Sequence, residues 1–146
     1  MAGDAPILRE LLDAMARGRL LPERAFAPDA DTILRMRETP EFEAAVTPLF
    51  AAVSNLLRDT PREDLEYIED FVEKVFVHVF ERTGSDDLSA YVSDDFGLLA
   101  QALHVGYEDQ QLNGLAHAYG QSSVPCARIA PVAGSLLDHM RKVARP

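Results

Sequence analysis

The clearest local signal in this chain is the tetrapeptide Thr60-Pro61-Arg62-Glu63, which is typical of a helix N-terminus. Thr60 can accept a hydrogen bond from the Glu63 backbone N–H, and the Glu63 carboxylate can reach back to the Thr60 backbone. Pro61 takes the first helical position, where its missing N–H has no cost. Apolar residues then recur three and four apart, which predicts an inward face of Leu65, Ile68, Val72, Val75, Phe76 and Val79. The sequence therefore predicts one long helix near residues 61–83.

The rest of the chain repeats this alternation of caps and helical apolar stripes. No stretch alternates apolar and polar residues for long enough to predict a strand. The remaining predicted helices are one capped by Asp4 and ended by Gly18, a short one after Asp29 or Asp31, one from Thr39-Pro40 to Leu57 kinked or broken at Pro48, 86–92, one from Asp94 to Gly106, 108–119 and 126–144. The predicted fold class is all-α: a compact bundle of about six to eight helices, in a single domain over 1–146, with the 61–83 helix central.

Composition excludes several classes of protein. The single cysteine, Cys126, cannot form an internal disulfide, and the N-terminus lacks the pattern of a secretory signal, so we expect a cytoplasmic protein. No uncharged apolar run is long enough for a membrane span. A formal net charge of -10 argues against nucleic acid and against an anionic membrane surface as partners.

The acidity is concentrated in one part of the chain. Residues 59–95 carry 12 acids and only 3 bases, so nearly the whole net charge lies in this segment. Gathered on one exposed flank, such charge would steer a basic partner toward the protein. The alternative is an ordinary solvated helix face.

The polar side of the 61–83 helix is the predicted partner-binding surface. Its expected residues are Glu63, Glu66, Tyr67, Asp70, Phe71, Glu73 and His78. Aromatic side chains rimmed by carboxylates suit protein binding, because the aromatics contribute interface energy and the acids steer association. The alternative is that a neighbouring helix covers Tyr67 and Phe71.

A second cluster of aromatic and polar residues could line a small-molecule or metal pocket. Its members are His104, Tyr107, Glu108, Asn113, His117 and Tyr119. His104 and Glu108 lie four apart and would share one side of a helix that continued through Gly106, but no third strong ligand stands at a fixed spacing from them. We therefore expect no metal site and no cofactor.

Catalytic patterns are also missing from the sequence. Glycine-rich phosphate loops are absent, and the pairs Asp86-Asp87 and Asp94-Asp95 are better explained as helix caps than as cation ligands. Cys126 would open the predicted last helix, where the helix dipole could lower a thiol pKa, although a small packed side chain is the commoner role. No catalytic residue is predicted.

These features predict a small acidic, non-catalytic protein-binding protein of the adaptor, regulator or toxin-immunity type. Its partner would be a basic protein, or a second copy of the chain docked through Tyr67 and Phe71. The alternative is a helical domain, possibly enzymatic, that binds a small molecule or metal around His104, Glu108 and His117.

Overall fold

A computed structural model of the protein describes residues 5–145, and every regular element in that range is helical. The elements are α1 (Ala5–Ala16), a 3₁₀ turn (Glu23–Phe26), α2 (Ala30–Arg37), α3 (Pro40–Leu56), α4 (Arg62–Thr83), α5 (Asp86–Val105), α6 (Gln110–Gly120) and α7 (Leu136–Ala144). The predicted all-α bundle is confirmed, with α4 and α5 as its central pair. The predicted Asp4 cap lies outside the described residues. Within 5–145, no helix combines the length and the apolar character that a membrane span requires.

Several predicted helix ends are confirmed by their capping bonds. The side chains of Asp29, Thr39 and Ser85 accept hydrogen bonds from backbone N–H groups at the starts of α2, α3 and α5. Gly84 ends α4 in the left-handed conformation, with φ 65°, which costs glycine less than any residue with a Cβ.

Two predicted boundaries are wrong. α4 starts at Arg62 with Pro61 as its N-cap and without a side-chain cap bond, so Thr60 does not cap it. α3 continues through Pro48 as one helix, which excludes the break that the sequence offered as an alternative to a kink. α5 also runs unbroken past Asp94 and Asp95, because the Ser93 hydroxyl donates to the Ala90 carbonyl one turn earlier, at 3.1 Å, instead of capping a new helix.

The last helix is much shorter than predicted. It starts after Ser135, whose hydroxyl accepts from the Asp138 N–H at 3.2 Å. The preceding segment is not helical, since Pro131 lacks an N–H and Gly134 has φ 111°. Residues 121–135 instead form a long connection held against other elements by backbone bonds from Ala127 to Met36 and from Val132 to Gln110, both at 3.0 Å.

Glycines allow two close approaches that shape the bundle. A Cβ at Gly97 would lie 3.0 Å from Val72 Cγ2, so the absence of a side chain lets α5 approach α4 closely. A Cβ at Gly114 would overlap the Ala130 carbonyl oxygen, so this glycine lets the connection pass directly over α6. The central pair and the 121–135 connection therefore both depend on positions without a side chain.

Candidate functional site

The exposed face of α4 is strongly acidic. Successive residues of an α-helix are rotated by about 100° around its axis, and on this basis the solvent-exposed residues of α4 fall within an arc of about 140°. The carboxylates on this face are Glu63, Glu66, Glu69, Asp70, Glu73 and Glu81, and its bases are Arg62 and Lys74. We call these eight residues the acidic face.

Most of this charge is not neutralised locally. Arg62 Nε lies 3.2 Å from Glu66 Oε1, and its Nη2 lies 4.0 Å from Glu69 Oε2. These pairs are exposed to solvent and therefore contribute little to stability. Glu63, Asp70 and Glu73 form no ion pair within the described part of the chain.

Around the axis of α4, the centre of the observed buried side lies about 45° from the centre of the predicted one, with a rotation of about 100° per residue. Its buried residues are Ile68, Phe71, Val75 and Val79, whereas Leu65, Val72 and Phe76 are only half-buried. Phe71 is 2% exposed and packs edge-on against Phe96, with ring centroids 6.4 Å apart. The expectation that Phe71 lies on the exposed side is therefore wrong, because the neighbouring helix α5 covers it. Tyr67 is half-buried beside it.

His78 contacts the turn that follows α1. The ring is half-buried, and Nε2–H donates to the Leu21 carbonyl oxygen at 2.9 Å. Leu21 has a backbone φ of 49°, which residues other than glycine rarely adopt. The hydrogen bond from His78 therefore stabilises a strained turn. His78 therefore has a structural role at the edge of the acidic face.

We expect His78 to make the fold sensitive to acid. Burial lowers the pKa of its imidazole below the ordinary 6.5, and this effect outweighs the opposing bond to Leu21. The unfolded chain then binds a proton at a higher pH than the folded chain. The free energy of unfolding should therefore fall as the pH drops through the unfolded-state pKa of about 6.5 toward the lower folded-state value.

Urea unfolding at about pH 7.5 and about pH 5.5 measures this effect across the histidine range. His78→Gln, whose amide can still donate to Leu21, should lose less stability between the two pH values than the natural chain. His117→Gln is the matched control, because His117 is exposed. An equal loss in all three proteins would contradict the role given to His78.

Two apolar residues on the same side of α4 were missed by sequence reasoning. Val77 is 48% exposed and Phe80 is 42% exposed, and the Phe80 ring stacks on Phe76 with centroids 6.3 Å apart. Helical spacing places both within the arc of the acidic face, so the same angular construction could have found them. The exposed aromatic group on this side is therefore Phe80 and not Phe71. We call Val77 and Phe80 the apolar patch.

Asp95 does not contribute to the surface charge. It is 1% exposed and forms a two-pronged pair with Arg37 of α2, with Nη1–Oδ2 at 2.6 Å and Nη2–Oδ1 at 3.0 Å. The Tyr119 hydroxyl donates to the same Oδ2 at 2.6 Å, and Arg37 Nη1 also donates to the Pro125 carbonyl at 3.1 Å. This network ties α2, α5, α6 and the 121–135 connection together. The prediction that Asp95 caps a helix is wrong.

Aromatic rings cover the Arg37 guanidinium. Its carbon lies 4.1 Å from the Phe42 ring centroid and 5.3 Å from that of Tyr91. Burial alone would lower the pKa of Arg37, but the Asp95 carboxylate outweighs it and the pKa is raised. Burial, reinforced by the charge of Asp95, raises the pKa of Tyr119 well above its usual value. Arg37 therefore remains charged and Tyr119 neutral inside the bundle.

The polar members of the predicted second cluster bond to separate structural partners. Asn113 donates to the carbonyls of Val132 and Gly134, at 3.0 and 2.8 Å, and Glu108 Oε1 accepts from the Leu136 N–H at 3.0 Å. These contacts fix the 121–135 connection and the start of α7.

The other members of that cluster point elsewhere. His104 Nε2 lies 3.5 Å from Asp64 Oδ2 on α4, and Tyr119 is bound in the Arg37 network. Tyr107 packs half-buried against the core, and His117 is exposed. Among the described residues, no group of three or more His, Cys, Asp or Glu side chains could hold a metal ion.

Cys126 lies in the 121–135 connection and not at a helix start. Its Sγ is 3.9 Å from Met36 Sδ, and burial raises the pKa of the thiol. The helix-dipole activation considered from the sequence is therefore absent at this position.

One comparison with known proteins identifies a relationship. The family described as "Immunity protein PIM1" has a sequence model that matches residues 10–126, which is about four fifths of the chain. The match includes α2 to α6 in full and contains the acidic face, the apolar patch and the Arg37 network. No curated protein and no solved structure matches the chain.

Proposed function

The chain belongs to the PIM1 immunity protein family, and we propose from that membership that it binds a toxin protein and neutralises it. The observation that supports the choice of surface is the acidic face of α4. Six carboxylates and two bases lie there on one exposed side of a single long helix. The proposed docking region on the toxin is accordingly rich in lysine and arginine.

The acidic face acts first on the rate of association. Clustered charge of one sign raises the association rate with an oppositely charged partner, and the effect weakens as salt screens it. Glu63, Asp70 and Glu73 contribute most directly, since no base within the described residues pairs with them. Glu66 and Glu69 can exchange Arg62 for a base of the toxin at little cost, because their present pairs are exposed.

The apolar patch supplies contact energy after the encounter. Val77 and Phe80 lie toward the C-terminal end of α4, beyond the main group of acids. Large apolar side chains that become buried contribute most of the binding energy in many interfaces, while surrounding charges set orientation. Glu63, Glu66, Asp70 and Glu73 remain in the proposed partner-binding set, with Val77 and Phe80 in place of Phe71. Tyr67 borders this surface, and His78 supports its edge.

Co-expression tests the function whichever surface forms the interface. The toxic domain that is the candidate partner is expressed in a bacterial host, with and without the chain. We expect growth to be restored when the chain is present, and the two proteins to co-purify as a complex. A host that dies equally in both cases, with both proteins soluble, would contradict the proposal.

Self-association remains a separate prediction, but not through the pair Tyr67 and Phe71 that the sequence suggested. Phe71 is unavailable for it in the folded chain, because α5 covers this ring. Light scattering on the purified chain distinguishes a monomer from a dimer, and mixing with the toxic domain then gives the stoichiometry of the complex.

A further inference from the structure

A groove runs along the outside of the bundle where α3 meets α5 and α4. One part of it has a volume of about 240 Å³ and is lined by residues that include Arg37, Phe42 and Tyr91. It continues into a second cleft of about 290 Å³ that reaches Glu69 of α4. The two clefts share Phe50 and Asp94 as lining residues, so we treat them as one feature, the α3–α5 groove.

The polar lining of this groove is negative. Glu43, Asp94 and Glu69 contribute carboxylates along its length. Among the described residues that line it, the one base is Arg37, and the Asp95 carboxylate already neutralises that residue. Among the described residues, Glu43 and Asp94 form no ion pair, and Glu69 has only the exposed Arg62 at 4.0 Å, so the groove presents net negative charge beside its apolar lining.

Asp94 is the carboxylate at the junction of the two clefts. No base among residues 6–145 forms an ion pair with it. Burial raises the pKa of the Asp94 carboxyl, the neighbouring Asp95 carboxylate raises it further, and Arg37 opposes both. A partly desolvated carboxylate without a partner gains stability when a cation approaches it.

Aromatic residues line the same cleft as this carboxylate. Tyr91 is 36% exposed, and Phe50 is half-buried at the junction of the clefts. A guanidinium binds well to a planar ring on one side and a carboxylate on the other. The chain already contains one such arrangement, since Arg37 lies over Phe42 and Tyr91 and pairs with Asp95. The groove offers Tyr91, Phe50 and Asp94 in a similar combination on the outside.

We propose that the α3–α5 groove receives an arginine side chain of the bound toxin, with Asp94 as its ion-pair partner and Tyr91 and Phe50 as its aromatic walls. This inference rests on the proposed function and extends its surface. Glu69 belongs both to the acidic face and to the groove lining, so one docked protein can contact the two together. All the groove residues named here fall within the region that matches the immunity family.

A peptide pair tests the chemistry of the groove without the toxin. The probe is acetyl-Gly-Arg-Gly-amide, and the control is the same peptide with citrulline, which keeps the shape of arginine but carries no charge. Each peptide is titrated into the isotope-labelled chain and followed by NMR. We expect the arginine peptide to shift amide signals around Asp94, Tyr91 and Phe50, and citrulline to leave them in place.

Two aspartate variants make this titration specific. Asp94→Asn should weaken binding of the arginine peptide about threefold, as expected for a solvent-accessible ion pair. Asp86→Asn, on an exposed position of the same helix, should leave binding unchanged. Equal shifts with both peptides, shifts away from the groove, or no difference between the two variants would overturn the proposal.

The complex with the toxic domain used for co-expression provides a second test of the groove. There, Asp94→Asn and Tyr91→Ala should each speed dissociation about tenfold, as expected for residues at an energetically important contact. Asn keeps the shape of the Asp side chain, so faster dissociation of the Asp94→Asn variant reports the lost charge and not a misfolded protein. Full affinity in both variants would overturn the groove assignment and leave the proposed function intact, whereas failure of the natural chain to bind would contradict the function itself.

Discussion

Asp95→Asn should lower the free energy of unfolding by about 3–5 kcal/mol, the usual cost of removing one partner from a buried ion pair. Asparagine keeps the shape of the side chain but removes the charge that compensates Arg37. Arg37 is 4% exposed, so water cannot replace the lost carboxylate. The Tyr119 hydroxyl also loses its charged acceptor, at present 2.6 Å away. Urea or thermal unfolding of the purified variant measures the loss.

The adjacent aspartate is the matched control. Asp94→Asn makes the same chemical change one residue earlier, where the carboxylate is at the surface and its pKa is raised by burial. A raised carboxyl pKa means that the fold disfavours the charged form, so this variant should be as stable as the natural chain, or more so, at neutral pH. Equal losses in the two variants would show that the Arg37 network does not hold the bundle together.

Glu66→Lys combined with Asp70→Lys should slow association with the toxic domain by about tenfold or more at low salt. Both residues lie near the middle of the acidic face, so the reversal turns local attraction into repulsion. The dependence of the association rate on salt should also flatten, because fewer favourable charge pairs remain to be screened. Folding should change little, since the pair lost with Glu66 is exposed. Stopped-flow mixing over a range of ionic strengths measures both effects.

A second double reversal controls for net charge. Glu23→Lys with Asp31→Lys changes the total charge by the same amount on exposed residues outside α4. It should slow association only slightly, because steering depends on charge near the docking surface. If the two double variants slow association equally, the acidic face has no special role and net charge alone explains the rates.

Local signals predicted most of the helices because caps and apolar spacing act within a few residues. Asp29, Thr39 and Ser85 cap helices that begin where the sequence predicts them, and the left-handed Gly84 ends α4. The same local logic failed at Asp94-Asp95, where a pair of acids after a serine has the pattern of a helix start. Asp95 is inside a continuous helix because Arg37, 58 residues earlier in the chain, reaches it. No local pattern contains that information.

Sequence reasoning predicted the charged residues of the candidate surface but not its exposed apolar residues. The acids of α4 are exposed as helical spacing requires, whereas the buried side is rotated toward Phe71 because α5 packs there. The rotation depends on tertiary contacts such as the close approach of Gly97 to Val72. Val77 and Phe80 are exposed on the acidic side of the helix, where helical spacing alone could have placed them. The α3–α5 groove could not be predicted at all, since it depends on how three helices meet.

Labelling of carboxyl groups in the free chain and in the toxin complex tests the docking surface most directly. Carbodiimide and glycine ethyl ester modify exposed carboxylates, and mass spectrometry gives the rate at each one. We expect Glu63, Glu66, Asp70 and Glu73 to be labelled much more slowly in the complex, while Glu23 and Asp138 keep their rates. Unchanged labelling along α4, with protection confined to carboxylates elsewhere, would contradict the account.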